Sequence, residues 1–144
     1  MVLTGAGLLW SACNSSAPEP ASADIPTTGL RLTIVRTATD LFLQRFNLTM
    51  KVTGPGGCST TTELFPDTGY AGRRNVYLAA KGMVYVVGQY DARVIDSRDC
   101  RTTLSEFRHL DRNVVFVGSF DQNDERRWVY YSAAQRPELP FEKR

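Results

Sequence analysis

Phe46-Asn47-Leu48-Thr49-Met50-Lys51-Val52-Thr53 alternates apolar and polar side chains without a break, and Gly54-Pro55-Gly56-Gly57 stops it. A period of two sends Phe46, Leu48, Met50 and Val52 to one face and the four polar residues to the other, the pattern of a half-buried strand. Upstream, Leu30, Leu32 and Ile34 alternate in the same way against Arg31 and Thr33. Downstream, residues 75–80, 83–88, 92–95, 113–119 and 127–131 form five more short apolar runs separated by turn residues. Lys81-Gly82 reads as a tight hairpin turn, Gln89-Tyr90-Asp91 as a second connection, and Asp121-Gln122-Asn123-Asp124-Glu125 as a polar hairpin loop. Residues 58–72, with Pro66-Asp67 and Gly69, read as a loop, and residues 104–110 as a short helix of about two turns that Ser105 caps. The expectation is an all-β antiparallel sandwich or small barrel of about seven short strands with one short helix.

The chain has 144 residues, 42% hydrophobic and 22% charged, which fits one ordinary globular domain and excludes wholesale disorder. Its formal net charge of +2 and scattered arginines lack the clustered basic face that nucleic-acid binding calls for. The short pairs Arg73-Arg74 and Arg126-Arg127 read first as solvated turns.

Residues 1–12 carry no charge, are too short to span a bilayer, and end in Ser11-Ala12 just before Cys13, like the end of a secretory signal. Leu8-Leu9-Trp10-Ser11-Ala12-Cys13 resembles the lipobox of bacterial lipoproteins, in which a small residue precedes a lipidated cysteine that becomes the mature N-terminus. It departs from that pattern at Trp10, where Leu is usual, and in having no positively charged segment before the apolar run. The resemblance implies a lipid on Cys13 as a membrane anchor, a cell-envelope address and, since Asn14 rather than Asp follows the cysteine, the outer membrane facing the periplasm. Residues 14–29 are rich in Ser, Ala, Pro and Thr and offer little to bury, so residues 13–29 read as a flexible tether between the remnant signal (1–12) and one β domain (30–144).

The chain has three cysteines. With Cys13 lipidated, Cys58 and Cys100 remain as an even pair able to form a disulfide in an oxidising compartment; in a reducing one they would be two free buried thiols. A bridge closing residues 58–100 is worth about 4 kcal/mol in the chain-entropy picture.

No catalytic or metal-binding constellation stands out, and no cofactor is expected. His109 is the sole histidine, no Gly-x-Ser-x-Gly elbow occurs, and Asp91, Asp96, Asp99 and Asp111 fall near turns with nothing to set two of them at a fixed distance. Asp121–Glu125 offers oxygens for calcium but lacks the EF-hand spacing. Trp128, Tyr130 and Tyr131 share a strand beside Arg126 and Arg127; alternation sends Trp128 and Tyr130 to one face and Tyr131 to the other. These five residues form a candidate protein interface, Arg and aromatic residues being enriched there. Lys81–Gly88 and Asp111–Gly118 are similar to the units of the DKNYY family of bacterial repeat proteins, with Val84–Asp91 echoing Val114–Asp121 at an offset of 30. The tail from Arg136 to Arg144 is charged and punctuated by proline, and is expected to run over the surface or fray. The functional expectation is a non-catalytic module that binds an envelope or exogenous protein. Its alternatives are a structural or assembly lipoprotein and a carboxylate-dependent glycan hydrolase.

Overall fold

The structure is a computed structural model that describes residues 17–40, 42–69, 72–106 and 113–141. Two antiparallel sheets face one another. The first holds β1 (Glu19–Asp24), β2 (Arg31–Ala38), β3 (Phe46–Thr53) and β4 (Ser59–Glu63), in that order. The second holds β5 (Arg74–Leu78), β6 (Met83–Val87), β7 (Ala92–Asp96), β8 (Thr102–Leu104), β9 (Val115–Gln122) and β10 (Trp128–Ser132), in the order β10-β9-β5-β6-β7-β8. This is the expected all-β sandwich. Its core is the inward half of each alternation: Leu32 and Ile34 from β2, Leu48, Met50 and Val52 from β3, and Val76, Val84, Val86, Ile95 and Phe120 from the facing sheet. Fully burying a side chain of this size contributes roughly 1.5–3 kcal/mol, and the continuous cluster holds the two layers together.

Ten strands replace the expected seven. Those missed are β1, β4 and β8, and each has a physical reason. Glu19–Asp24 lies in the stretch read as tether, yet it pairs along its whole length with β2, Glu19 opposite Arg36 and Asp24 opposite Arg31. Its inward residues are Ala21 and Ala23, followed by the buried Ile25. Methyl side chains fill the narrow wedge at the sandwich edge but give almost no hydrophobic contrast in sequence. The ordered fold therefore starts before Leu30. β4 reads Ser-Thr-Thr-Thr-Glu; Thr60 and Thr62 point inward and are half-buried, and their methyls substitute for larger apolar groups. β8 has only three residues. Leu104, expected to open a helix, closes β8 instead, and the rest of that expected helix from Phe107, His109 included, lies outside the described residues.

The turns expected at Lys81-Gly82 and Gln89-Tyr90-Asp91 hold, and the loop expected at 121–125 is shorter, since Asp121 and Gln122 pair in β9. Lys81 and Gly82 both take positive φ, 60° and 72°, which reverses the chain between β5 and β6. The Val84–Asp91 and Val114–Asp121 segments diverge after their glycine: the chain turns at Gly88, where Gly88 N–H donates to Asp91 O, whereas β9, after a shift in its register with β5 at Val117, continues through Gly118 to Gln122.

Registers place the connections at two ends. At one end lie the turns 25–30, 54–58, 79–82 and 96–101. Here Cys58, before β4, and Cys100, between β7 and β8, form a disulfide across the two sheets with Cα atoms 5.7 Å apart. Thr60 Oγ1 donates to Cys100 O at 2.8 Å beside it. A Cβ on Gly54 would come within 2.8 Å of both sulfurs, so only glycine admits the bridge this close. At the opposite end lie Glu19, the β2–β3 loop, the chain after β4, the β6–β7 turn, the end of β8 and the β9–β10 hairpin.

Joint replacement of Cys58 and Cys100 by Ala is expected to cost about 2–4 kcal/mol, because the unfolded chain regains the entropy of a 42-residue separation. Urea unfolding with and without reductant measures it; an equal midpoint in both would show that packing alone joins the sheets.

Candidate functional site

The end away from the disulfide is organised by a cation. The β2 alternation runs Leu32, Ile34, Arg36, so the third inward position is an arginine, 2% exposed. A guanidinium so buried costs several kcal/mol unless its donors are matched. Nε donates to Glu19 Oε2 at 3.0 Å, with Nη2 2.9 Å from the same oxygen. Nη1 donates to Gln122 Oε1 at 2.7 Å, and Nη2 to Arg126 O at 2.8 Å. The flat face lies 4.2 Å from the Phe46 ring centroid and 5.5 Å from that of Trp128. Trp128 Nε1 in turn donates to Ile34 O at 3.0 Å. One side chain thus ties β1, β2, β3 and the β9–β10 hairpin.

Two further inward arginines repeat the device. Arg74 forms a buried ion pair with Asp91 at 3.1 Å and donates to Phe65 O at 2.8 Å, while Asp91 Oδ2 accepts Phe65 N–H at 3.1 Å. Burial pulls the Arg74 pKa down, and the Asp91 and Asp67 charges oppose that. Arg93 Nη2 donates to Glu63 O at 3.0 Å.

Beside Arg36 opens a cleft of about 270 Å³, with Arg36, Phe46 and Trp128 in its wall and Asp67, Asp121, Gln122, Gln44, Gly69 and Gly72 around it. Its two carboxylates have structural work: Asp121 Oδ2 meets Arg136 Nη2 at 2.9 Å, and Asp67 Oδ1 accepts the Gly69 N–H at 2.9 Å. Among the described residues no cluster of three His, Cys, Asp or Glu is placed to hold a metal. Of the Asp121–Glu125 segment, Asp121 and Gln122 pair in β9, and the turn after them is closed on itself, with Asn123 Oδ1 accepting the N–H groups of Glu125 and Arg127.

The five residues read as one interface are distributed over three environments. Trp128 is buried in the core, 4% exposed, and stacks on Phe120. Tyr130 packs against the same Phe120 with ring centroids 4.8 Å apart, and its hydroxyl donates to Val117 O at 3.1 Å. Tyr131 sits on the opposite face beneath Arg136, whose guanidinium is 4.2 Å from the ring centroid. Only Arg126 and Arg127 are exposed, at the hairpin tip beside the cleft. The faces alternate as expected, but both aromatic faces are covered. Cys13 lies outside the described residues. Arg36, the centre of this end, was missed although its signal was present: the β2 alternation continues two residues past Ile34 and lands on a cation.

The tail lies over the β5-β9-β10 side of the outer face of the six-stranded sheet. Arg136 donates to Ser119 and Asp121, Asn75 and Arg73 donate to Leu139 O, Arg73 also to Pro140 O, and the Tyr77 hydroxyl donates to Glu138 Oε1 at 2.5 Å. Burial first, then the Glu138 hydrogen bond, push the Tyr77 pKa up to about 12. The phenol must stay neutral to donate, so its contribution is complete below the unfolded value near 10 and is lost as pH rises through about 12. Absorbance titration at alkaline pH is expected to show Tyr77 ionising late, as does Tyr130, which burial also raises, and Glu138→Gln to bring only Tyr77 earlier; an unchanged curve would show that the tail does not rest on Tyr77.

Arg36→Ala leaves Glu19, Gln122 and the Arg126 carbonyl without their donor and is expected to cost about 3 kcal/mol or more by chemical denaturation. Arg36→Lys is expected to recover only part, since an ammonium cannot reproduce the planar fork; full recovery would reduce the role to charge alone. No protein-family model, no curated protein and no solved structure matches the chain, so the residues themselves carry the functional reading.

Proposed function

We propose that the chain is a lipid-anchored protein of the bacterial cell envelope, held through Cys13 at the outer membrane facing the periplasm, whose β-sandwich binds another envelope protein or an exogenous one without catalysis. The observation that carries the reading is the Cys58–Cys100 bridge between the sheets. Structural disulfides persist in oxidising compartments, the destination to which the lipobox-like segment ending at Cys13 would send the chain.

The binding element is the β9–β10 hairpin. Its exposed Arg126 and Arg127 project from a backbone already fixed at three points: two N–H groups on Asn123 Oδ1 and the Arg126 carbonyl on buried Arg36. A partner of opposite charge meets a pre-ordered loop and loses less entropy in binding it. The non-catalytic reading is supported by the cleft, where Asp121 is held by Arg136 and Arg36 by its own acceptors.

Two measurements test the proposal. Intact mass of the protein from its own host is expected to show residues 13–144 plus lipid, rising by two daltons on reduction. Pull-down from envelope extracts in mild detergent is expected to capture a partner that Arg126→Glu/Arg127→Glu loses by tenfold or more. An unmodified chain with three free thiols would remove the envelope reading, and equal capture by the variant would move the interface elsewhere.

A further inference from the structure

Six large hydrophobic side chains are exposed among the described residues: Phe42, Leu43, Phe65, Tyr90, Leu104 and Val115. Val115, opposite Leu78, lies at the disulfide end; the other five lie at the arginine end. Phe42 and Leu43 form the tip of the β2–β3 loop, 95% and 51% exposed. Phe65 follows β4, Tyr90 lies in the β6–β7 turn, and Leu104 ends β8 opposite Arg93. Apolar groups gathered at one end of a sandwich mark a contact surface.

The same end receives the N-terminal segment, because β1 starts there at Glu19, opposite Arg36. Only five residues lie between Cys13 and Glu19, and the six steps of extended chain from one to the other reach about 20 Å. A lipid on Cys13 would hold this end, and not the disulfide end, against the bilayer.

Resting on the lipid-anchor reading, we infer that the arginine end is a membrane-contact surface, with Phe42 and Leu43 seated among the phospholipid acyl chains. The loop is ordered for this. Asp40 Oδ1 accepts the N–H groups of Phe42 and Leu43 at 2.8 and 3.0 Å, which holds the Asp40 carboxyl below its ordinary pKa and keeps the tip folded outward. Exposed Arg45, Arg126 and Arg127 stand at this end with Asp40, Asp124 and Glu125, so the charges nearly balance. Attraction is therefore apolar, with the Arg45 stem snorkelling at the headgroups and Arg126 and Arg127 left to the protein partner. Two inserted side chains alone bind weakly; on a short tether their insertion becomes intramolecular and is favoured by the high local concentration of lipid.

The test uses the full chain reconstituted in vesicles of phosphatidylethanolamine and phosphatidylglycerol with brominated acyl chains, carrying Phe42→Trp or, at the opposite end, Val115→Trp. The added Phe42→Trp emission is expected to shift to the blue and fall at least twofold by bromine quenching, while that of Val115→Trp is quenched only by aqueous iodide. Equal iodide quenching of both reporters would overturn the inference. So would protection of Phe42→Trp that arises only when envelope proteins are added, since that outcome assigns the surface to a protein partner. Intact mass of the same preparation separates the two layers. Bromine quenching at position 42 without lipid on Cys13 supports the surface and overturns the anchor; lipid on Cys13 with iodide quenching leaves the anchor and overturns the surface.

Discussion

A guanidinium sealed between two sheets sets the terms for the rest of the fold. Arg36 is 2% exposed, and its donors find acceptors only because β1 supplies Glu19, β9 supplies Gln122 and the β9–β10 hairpin turns its Arg126 carbonyl inward. No single strand provides that set, so the two sheets must meet in one register for the charge to be tolerated. Wrong pairings leave a buried ion unmatched, a penalty of several kcal/mol, whereas a slip in the purely apolar part of the core would exchange one valine or leucine for another. The arginine thus selects the arrangement that hydrophobic burial stabilises.

The two ends of the sandwich consequently differ in kind. At the disulfide end the interior is closed by Ile25, Leu30 and the Cys58–Cys100 bridge, with Gly54 leaving room for the sulfurs. At the other end Arg36, Arg74 and Arg93 occupy inward positions and take their acceptors largely from loop carbonyls and carboxylates. That polar lining leaves the apolar residues of the neighbouring loops no core to enter, and Phe42, Leu43 and Phe65 stay outside. Phe65 shows the arrangement directly, its carbonyl accepting from buried Arg74 while its ring stays outside.

The sequence was legible where hydrophobic contrast was strong. β3 and β6 stand out because large apolar residues alternate with polar ones or run together before a glycine stop, and the Lys81-Gly82 turn declares itself by residue type. Parity, on the expectation of a lipid on Cys13, left Cys58 and Cys100 as a bridge or as two free thiols, and the structure holds the bridge. β1 and β4 were not, since Ala21, Ala23, Thr60 and Thr62 face inward with side chains whose composition reads as linker or loop. The aromatic strand was read to the correct faces, but covering both faces takes contacts no strand pattern contains: Phe120 against Trp128 and Tyr130 on the inside, and a tail arginine over Tyr131 on the outside. The cleft drew on residues from Arg36 to Trp128, which only the completed pairing of strands brings together.

On the anchored reading, the place where the chain enters the fold has a mechanical consequence. The first residue of β1 is the carboxylate that balances Arg36, and Cys13 stands six positions before it in the sequence. Any pull between membrane and domain arrives at Glu19 along the strand axis. There it is resisted by the β1–β2 ladder in shear, six residue pairs loaded together, and not by unzipping them one at a time. The Glu19–Arg36 ion pair stands at the head of that ladder and passes the load to β2 and, through Arg36, to the β9–β10 hairpin of the other sheet. A strand whose buried residues are only Ala21 and Ala23, weak by its own hydrophobicity, is thereby clamped at its loaded end by the ion pair with buried Arg36.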